Sequence, residues 1–242
     1  MLDQAATTTA STHAIAELPE PVRRYLRHAL PAGPDASPGV RLQMTGRIKL
    51  GLWVPFTASQ DCDGRSFEWR ARVGPGPLKP LEVVDRYANG AGSVTGRLLG
   101  RYQLFHQADL NIHRSAAARA AIEAVLTPAS LLPGRGVSWQ ADDRGHIVAS
   151  SYLAPEQLNV HMEIDPAGAL RNVSLRRWGD TGKHSHGYLT FGGEVHAERR
   201  FGDLVVPSDL TIVWRYGTAG YKPFFRAQIC ALQPHRSQTR AA

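Results

Sequence analysis

Apolar and polar side chains alternate along most of this chain, as in β-strands that bury one face. The clearest example is 67–73, where Phe67, Trp69, Ala71 and Val73 alternate with charged residues. The same pattern predicts further strands at 40–50, 81–88, 93–105, 146–153, 157–164, 169–178, 188–200, 204–216 and 223–233. About ten strands joined by short connections indicate an antiparallel sheet.

The N-terminal segment has a different pattern. Residues 1–17 are largely small and polar, and we expect them to form a disordered tail. From there Val22, Tyr25 and Leu26 recur at helical spacing, which predicts a helix over 19–30. Pro19 and Pro21 suit its first turn, where proline removes no needed hydrogen bond.

A second helix is predicted over 115–126, SAAARAAIEAVL, with Ser115 as its N-cap and Pro128 following its end. It is apolar on almost every side, so it must pack against other elements on most of its surface. The chain is thus expected to be mainly β, with one domain over 18–242. Its architecture would be a single curved antiparallel sheet, or half-barrel, wrapped around a helical plug.

Composition limits the possible partners. The 242 residues include 28 lysines and arginines against 21 acidic residues, a formal net charge of +7. The arginines occur singly or in pairs and alternate with apolar residues, whereas a nucleic-acid-binding protein concentrates basic residues on one stripe or helix. We therefore expect no nucleic-acid partner.

Cysteine content and targeting signals add two expectations. Cys62 and Cys230 are far apart and belong to no metal-binding spacing, so reduced thiols are expected. The N-terminus lacks the basic and apolar regions of a secretory signal, and no apolar run approaches the ~20 residues of a membrane span. A cytoplasmic location is the expectation from these features.

Several segments resemble an uncharacterised bacterial family. They include LPEPVRRYLRHAL at 18–30, GRIKLGLWVPFTASQ at 46–60 and, most specifically, RAAIEAVLTPASLLPGRGVSW at 119–139. The family is similar in architecture to the lipoprotein-carrier (LolA/LppX-like) half-barrel. That resemblance implies an unclosed antiparallel sheet with helices on its concave side, where such carriers hold acyl chains.

Three charged residues are candidates for a site inside the half-barrel. Arg119 and Glu123 lie four residues apart and share one face of the predicted helix, and Asp85 lies in DRYANG. One interpretation is structural: a salt bridge ties the helix to the sheet, and Asp85 caps a turn. The other is functional, with Arg119 gripping a ligand headgroup and Glu123 or Asp85 acting as acid or base.

Aromatic residues on the predicted strands are candidates for contact with an apolar ligand. They can equally be ordinary core residues, but a half-barrel too wide for its helix would leave an apolar cavity. The predicted ligand-binding residues are Phe67, Trp69, Tyr87, Trp139, Trp178 and Trp214.

Histidines raise the question of a metal. His184 and His186 would share a strand face, and His196 could approach from a neighbouring strand. The spacing to Glu194 does not match a known H-x-H metal motif, so we predict no metal and no cofactor.

The sequence thus predicts a protein that binds a hydrophobic or amphipathic small molecule between curved sheet and helix. The alternative is a cofactor-independent enzyme, of isomerase, cyclase or hydratase type, which acts on an apolar substrate in the same cavity. The sequence predicts no oligomeric state.

Overall fold

The computed structural model describes residues 14–77, 79–142, 144–182 and 185–235. In these residues 13 strands form one curved antiparallel sheet, a half-barrel, which confirms the predicted mainly β fold. The strands are β1 (Val40–Leu50), β2 (Leu52–Cys62), β3 (Phe67–Val73), β4 (Leu81–Ala88), β5 (Ala91–Leu98), β6 (Tyr102–Gln107), β7 (Val137–Ala141), β8 (His146–Leu153), β9 (Glu156–Ile164), β10 (Leu170–Gly182), β11 (Ser185–Phe201), β12 (Leu204–Trp214) and β13 (Lys222–Pro234).

The number of strands differs from the expected ten for local reasons. The predicted strand 93–105 is two strands, because Leu99 and Gly100 turn the chain with positive φ angles of 52° and 70°. Strand β2 contains Pro55 and the polar run TASQD, so its sequence does not alternate cleanly. Strand β7 has only five residues.

The order of the strands decides where the helical segment lies. The sheet runs β6-β5-β4-β3-β2-β1-β13-β12-β11-β10-β9-β8-β7, so β6 and β7 form its two edges. These edge strands are also consecutive in the chain. The connection between them must therefore cross the whole sheet, and it carries the plug over the concave face.

The plug begins earlier than the sequence predicted. Helix α2 spans Leu110–Ile122, and two 3₁₀ turns follow at Glu123–Leu126 and Pro128–Leu131. The N-cap is Asp109, whose carboxylate accepts the backbone N–H of Ile112 at 3.0 Å, and not Ser115. An aspartate with free backbone donors ahead of it caps as well as serine does, and five more helical residues result.

The N-terminal helix agrees more closely with its prediction. Helix α1 spans Glu20–Ala29 and buries Val22, Tyr25, Leu26 and Ala29. Residues 14–17 of the predicted tail lie within the described chain, and Ile15 packs against the core. Residues 1–13 of that tail, like the last seven of the predicted domain 18–242, lie outside the described residues.

The core is one continuous cluster on the concave side of the sheet. Under strands β7–β9 it is closed by helix α1, whose Tyr25 ring lies 6.2 Å from the Trp139 ring. The second 3₁₀ turn, Pro128–Leu131, is wholly buried. On the other side of α2 the packing leaves a space.

Candidate ligand-binding chamber

An apolar cavity lies between helix α2 and the sheet; we call it the chamber. It has two adjoining lobes of ≈ 230 and ≈ 70 Å³. Five residues belong to the walls of both lobes: Arg119, Ile122, Glu123, Ile212 and Phe225. The predicted cavity between sheet and helix is therefore present.

Strands from both halves of the sheet supply the apolar lining. The larger lobe is lined by Ile48, Trp69, Val83, Val94, Phe191 and Phe224, the smaller by Met44, Val125, Leu126, Val173, Val195, Leu210, Ala227 and Ile229. The residues of α2 that face strands β7–β9 include Ala121, which lies outside both linings. The helix thus presents its larger side chains to the chamber and still does not fill it.

A group of polar residues interrupts this apolar wall; we call Gln60, Asp85, Arg119 and Glu123 the polar cluster. Arg119 donates through Nε to Glu123 at 2.7 Å and through Nη1 to Asp85 at 2.6 Å. The second carboxylate oxygen of Glu123 accepts the Gln60 amide at 2.8 Å. The structure therefore brings together all three charged residues predicted from the sequence.

The Arg119 guanidinium is held by hydrogen bonds at its edges and by contacts with two aromatic rings. It lies over the Phe67 ring at 4.4 Å and near the Trp69 ring at 5.4 Å. Burial lowers the pKa of Arg119, but the carboxylates of Glu123 and Asp85 outweigh burial and raise that pKa above its usual value. Arg119 is thus a fixed cation that pairs with both carboxylates.

This arrangement favours the structural interpretation of the polar cluster. Both oxygens of Glu123 and one of Asp85 accept hydrogen bonds from the cluster itself. A general acid or base needs an atom within hydrogen-bond reach of the substrate. The isomerase, cyclase or hydratase alternative gains no support from this geometry, and the catalytic roles of Glu123, Asp85 and Arg119 stay predictions.

The predicted aromatic residues are spread over several places. Trp69 lines the chamber, and the Phe67 ring lies against the Arg119 guanidinium. Tyr87 donates its hydroxyl to the Ala154 carbonyl at 2.6 Å, and Trp139 donates its indole N–H to the Leu131 carbonyl at 3.0 Å. Tyr87 and Trp139 thus donate to backbone carbonyls of the protein, and neither belongs to the chamber lining.

The two remaining tryptophans of the predicted set, Trp178 and Trp214, also lie outside the chamber lining. Trp178 donates to the Asn111 side chain at 2.8 Å and carries the Arg114 guanidinium over its ring at 3.7 Å. Trp214 packs behind the wall against the Phe191 ring, at 4.9 Å. Their predicted ligand contacts stay predictions, and Trp214 contacts the chamber through the lining residues Phe191, Phe224 and Arg177.

Sequence reasoning missed Gln60, Phe225 and, above all, Arg177. Gln60 lies in the unpredicted strand β2. In β10 the buried residues Val173 and Leu175 are followed at the same spacing by Arg177. An arginine at an inward position of an alternating strand was the available signal.

The histidine hypothesis assumed a wrong placement. His186 and His196 both lie on β11, ten positions apart, which separates them by roughly 33 Å at ~3.3 Å per residue. They cannot share a metal ion, and His196 instead contacts the Thr211 hydroxyl at 2.9 Å. His184 lies outside the described residues, among which no three His, Cys, Asp or Glu side chains form a metal-binding group.

The two cysteines remain separate thiols, as expected. Cys62 is buried, and burial followed by the charge of Glu123 raises the pKa of its thiol. A thiol that keeps its proton is a poor nucleophile.

None of the helices within the described ranges has the length and apolar character needed to cross a bilayer.

Comparison with known proteins gives a family and a set of similar folds. The model of a family of unknown function, DUF6544, matches residues 8–227, and no curated protein matches the sequence. A DUF1329 family protein from Desulfovibrio piger is similar with a TM-score of 0.47 and 7% identity, over 90% of this chain and 92% of that one.

Two further solved structures are similar to the same degree. A putative outer membrane lipoprotein-sorting protein domain from Vibrio parahaemolyticus has a TM-score of 0.46 and 8% identity, over 84% of this chain and 87% of that one. A LolA superfamily protein from Nitrosomonas europaea has a TM-score of 0.47 and 6% identity, over 89% of this chain and 92% of that one. The half-barrel class named by the sequence resemblance is thus among the similar structures.

Proposed function

The chain belongs to the DUF6544 family of unknown function, and from that premise we propose that it binds a hydrophobic or amphipathic small molecule in the chamber. The observation that carries the proposal is the chamber itself, an apolar space with one polar wall. Small-molecule sites are concave, mostly apolar and furnished with a few placed polar groups.

The volume supports a ligand larger than a single ring. An engineered apolar cavity of about 150 Å³ in another protein holds benzene. The larger lobe here is ≈ 230 Å³ and adjoins the smaller lobe of ≈ 70 Å³. A molecule with an extended apolar part can occupy the first lobe and reach the second.

The energetics also favour occupancy. Burying apolar ligand surface against this wall gains roughly 25 cal/mol per Å². Dispersion contacts between a ligand and the apolar side chains of the chamber add to this gain. An apolar ligand supplies these contacts and needs no new hydrogen bonds from the Ile48, Val83 and Phe224 region.

Titration with N-phenyl-1-naphthylamine, a neutral apolar fluorophore, tests the proposal directly. Saturable binding with a negative heat-capacity change is expected, because apolar surface is buried. Val83→Phe places a larger side chain in the larger lobe and should weaken binding at least tenfold. Val148→Phe is the matched control, since Val148 lies on the opposite face of β8 from the buried Ile147 and Ala149.

Absence of saturable binding to the wild-type protein would contradict the proposal. Equal weakening by both variants would contradict it too, because binding would then not depend on the chamber. The cytoplasmic location expected from the N-terminal sequence stays a prediction beside this proposal.

A further inference from the structure

Arg177 is the second arginine that lines the larger lobe of the chamber. Its Nε donates to the carbonyl and the hydroxyl oxygens of Ser115, both at 3.1 Å. Its guanidinium lies over the Phe191 ring at 4.4 Å and near the Trp214 ring at 5.1 Å. Among the described residues no acceptor contacts the two terminal nitrogens, and no carboxylate forms a salt bridge with them.

The contrast with Arg119 shows what is missing. Both arginines line the larger lobe, and both lie on aromatic rings. Arg119 donates hydrogen bonds to Asp85, Glu123 and Gln60. Arg177 has the same aromatic support and the same helix beside it, but no acceptor in the described part of the chain contacts its terminal donors.

Arg177 is half-buried, and the apolar wall beside its guanidinium offers no hydrogen-bond acceptor within the described chain. Burial, followed by the charge of Arg119, lowers the pKa of Arg177 to about 10. The group therefore still carries its positive charge at neutral pH. The chamber thus places a cation with available donors next to apolar side chains.

The chemistry of the missing partner follows from geometry and charge. Two terminal nitrogens in one plane match the two oxygens of a carboxylate. The carboxylates of Asp85 and Glu123 line the same lobe as Arg177 and repel a second anionic group. A carboxylate ligand places one negative charge near them, whereas a phosphate dianion would place two.

We propose that the ligand is a long-chain carboxylic acid whose carboxylate binds the terminal nitrogens of Arg177. The apolar chain lies along Ile48, Val83 and Phe224, which share the larger lobe with that guanidinium. This inference rests on the proposed function and adds the headgroup to it. Arg177 is then a specificity-determining residue of the chamber.

A matched pair of ligands tests this headgroup: dodecanoate and 1-dodecanol, each displacing N-phenyl-1-naphthylamine. The wild-type protein should bind the acid at least tenfold more tightly than the alcohol. Arg177→Met should weaken binding of the acid at least tenfold and leave the alcohol unchanged. Arg176→Met is the control, because the neighbouring Arg176 is exposed and reaches the Tyr188 carbonyl on the outer face.

A conservative variant keeps the test decisive if Arg177→Met fails to fold. Arg177→Lys retains the charge but loses the two-nitrogen fork, so a several-fold loss for the acid alone is expected. Equal affinity of the wild-type protein for acid and alcohol would overturn the inference and leave the proposed function intact. Failure of both ligands and of the fluorophore would overturn the proposed function itself.

Discussion

Strands β7–β9 form one part of the sheet, and strands β1–β5 with β10–β13 form the other. Both parts bend around the same helical segment, yet only the second leaves a chamber. Under β7–β9 the remaining space is ≈ 10 Å³, next to Ala121, Ala124 and Leu131. Against β1–β5 and β10–β13 the larger lobe alone is ≈ 230 Å³. We call these the filled side and the hollow side.

The difference comes from what accompanies helix α2. On the filled side, helix α1 and the turn Pro128–Leu131 add large side chains to the alanines of α2. Tyr25 and Trp139 then close the space that a row of alanines leaves open. On the hollow side of the described chain, only α2 and the 3₁₀ turn Glu123–Leu126 stand between the walls, and no comparable second helix packs there.

The largest expected effect is the difference in unfolding free energy lost when an arginine is removed on each side. On the filled side, Arg114→Met leaves the Glu156 carboxylate, only 6% exposed, with the Tyr188 hydroxyl as its remaining side-chain donor in the described chain, and should cost about 3 kcal/mol of unfolding free energy. Arg119→Met frees Asp85 and Glu123, each 21% exposed beside the hollow side. Water entering the chamber can solvate them, so we expect a loss of about 2 kcal/mol.

Urea unfolding measures both losses. The double variant Arg114→Met/Glu156→Gln should recover most of the stability, because no charge is then left stranded. A larger loss for Arg119→Met than for Arg114→Met would contradict the distinction between a filled side and a water-accessible hollow side.

A smaller effect is expected from the same enlargement on each side. Val160→Phe on the filled side has no space for the ring and should cost about 1–3 kcal/mol. Val83→Phe on the hollow side enters the larger lobe and should leave the unfolding midpoint nearly unchanged. Equal destabilisation in urea melts would show that the chamber is not available to an added ring.

The smallest effect sharpens the description of the filled side. The buried hydroxyl of Tyr25 has no hydrogen-bond partner among the residues that the structure describes, so Tyr25→Phe should raise the unfolding free energy at pH 7 by about 1 kcal/mol. Burial, followed by the charge of Glu198, raises the pKa of Tyr25. The folded protein therefore keeps a proton that the unfolded chain releases near pH 10.

The pH dependence follows from that difference. Stability of the wild-type protein should fall as the pH rises above about 10, because only the unfolded chain gains the tyrosinate. Tyr25→Phe should flatten this part of the profile, and the exposed Tyr152→Phe should not. A profile that is identical for wild type and Tyr25→Phe would contradict the burial of this hydroxyl.

Local patterns in the sequence were enough for the class of fold and for one pair in the polar cluster. Alternation such as that of 67–73 fixes which face of a strand is buried, because successive side chains point to opposite faces. Helical spacing alone placed Arg119 next to Glu123. Where the backbone turns within an alternating run, as at Leu99 and Gly100, the same patterns gave the wrong number of strands.

Tertiary structure alone decided which residues meet in the chamber. Strand order brings Asp85 of β4 and Arg177 of β10 to helix α2, and it places Trp139 and Trp178 outside the chamber lining. An inward position in a strand does not reveal whether the space in front of it is filled. That depends on the summed volume of distant segments such as α1, and only the long-range packing of the chain determines it.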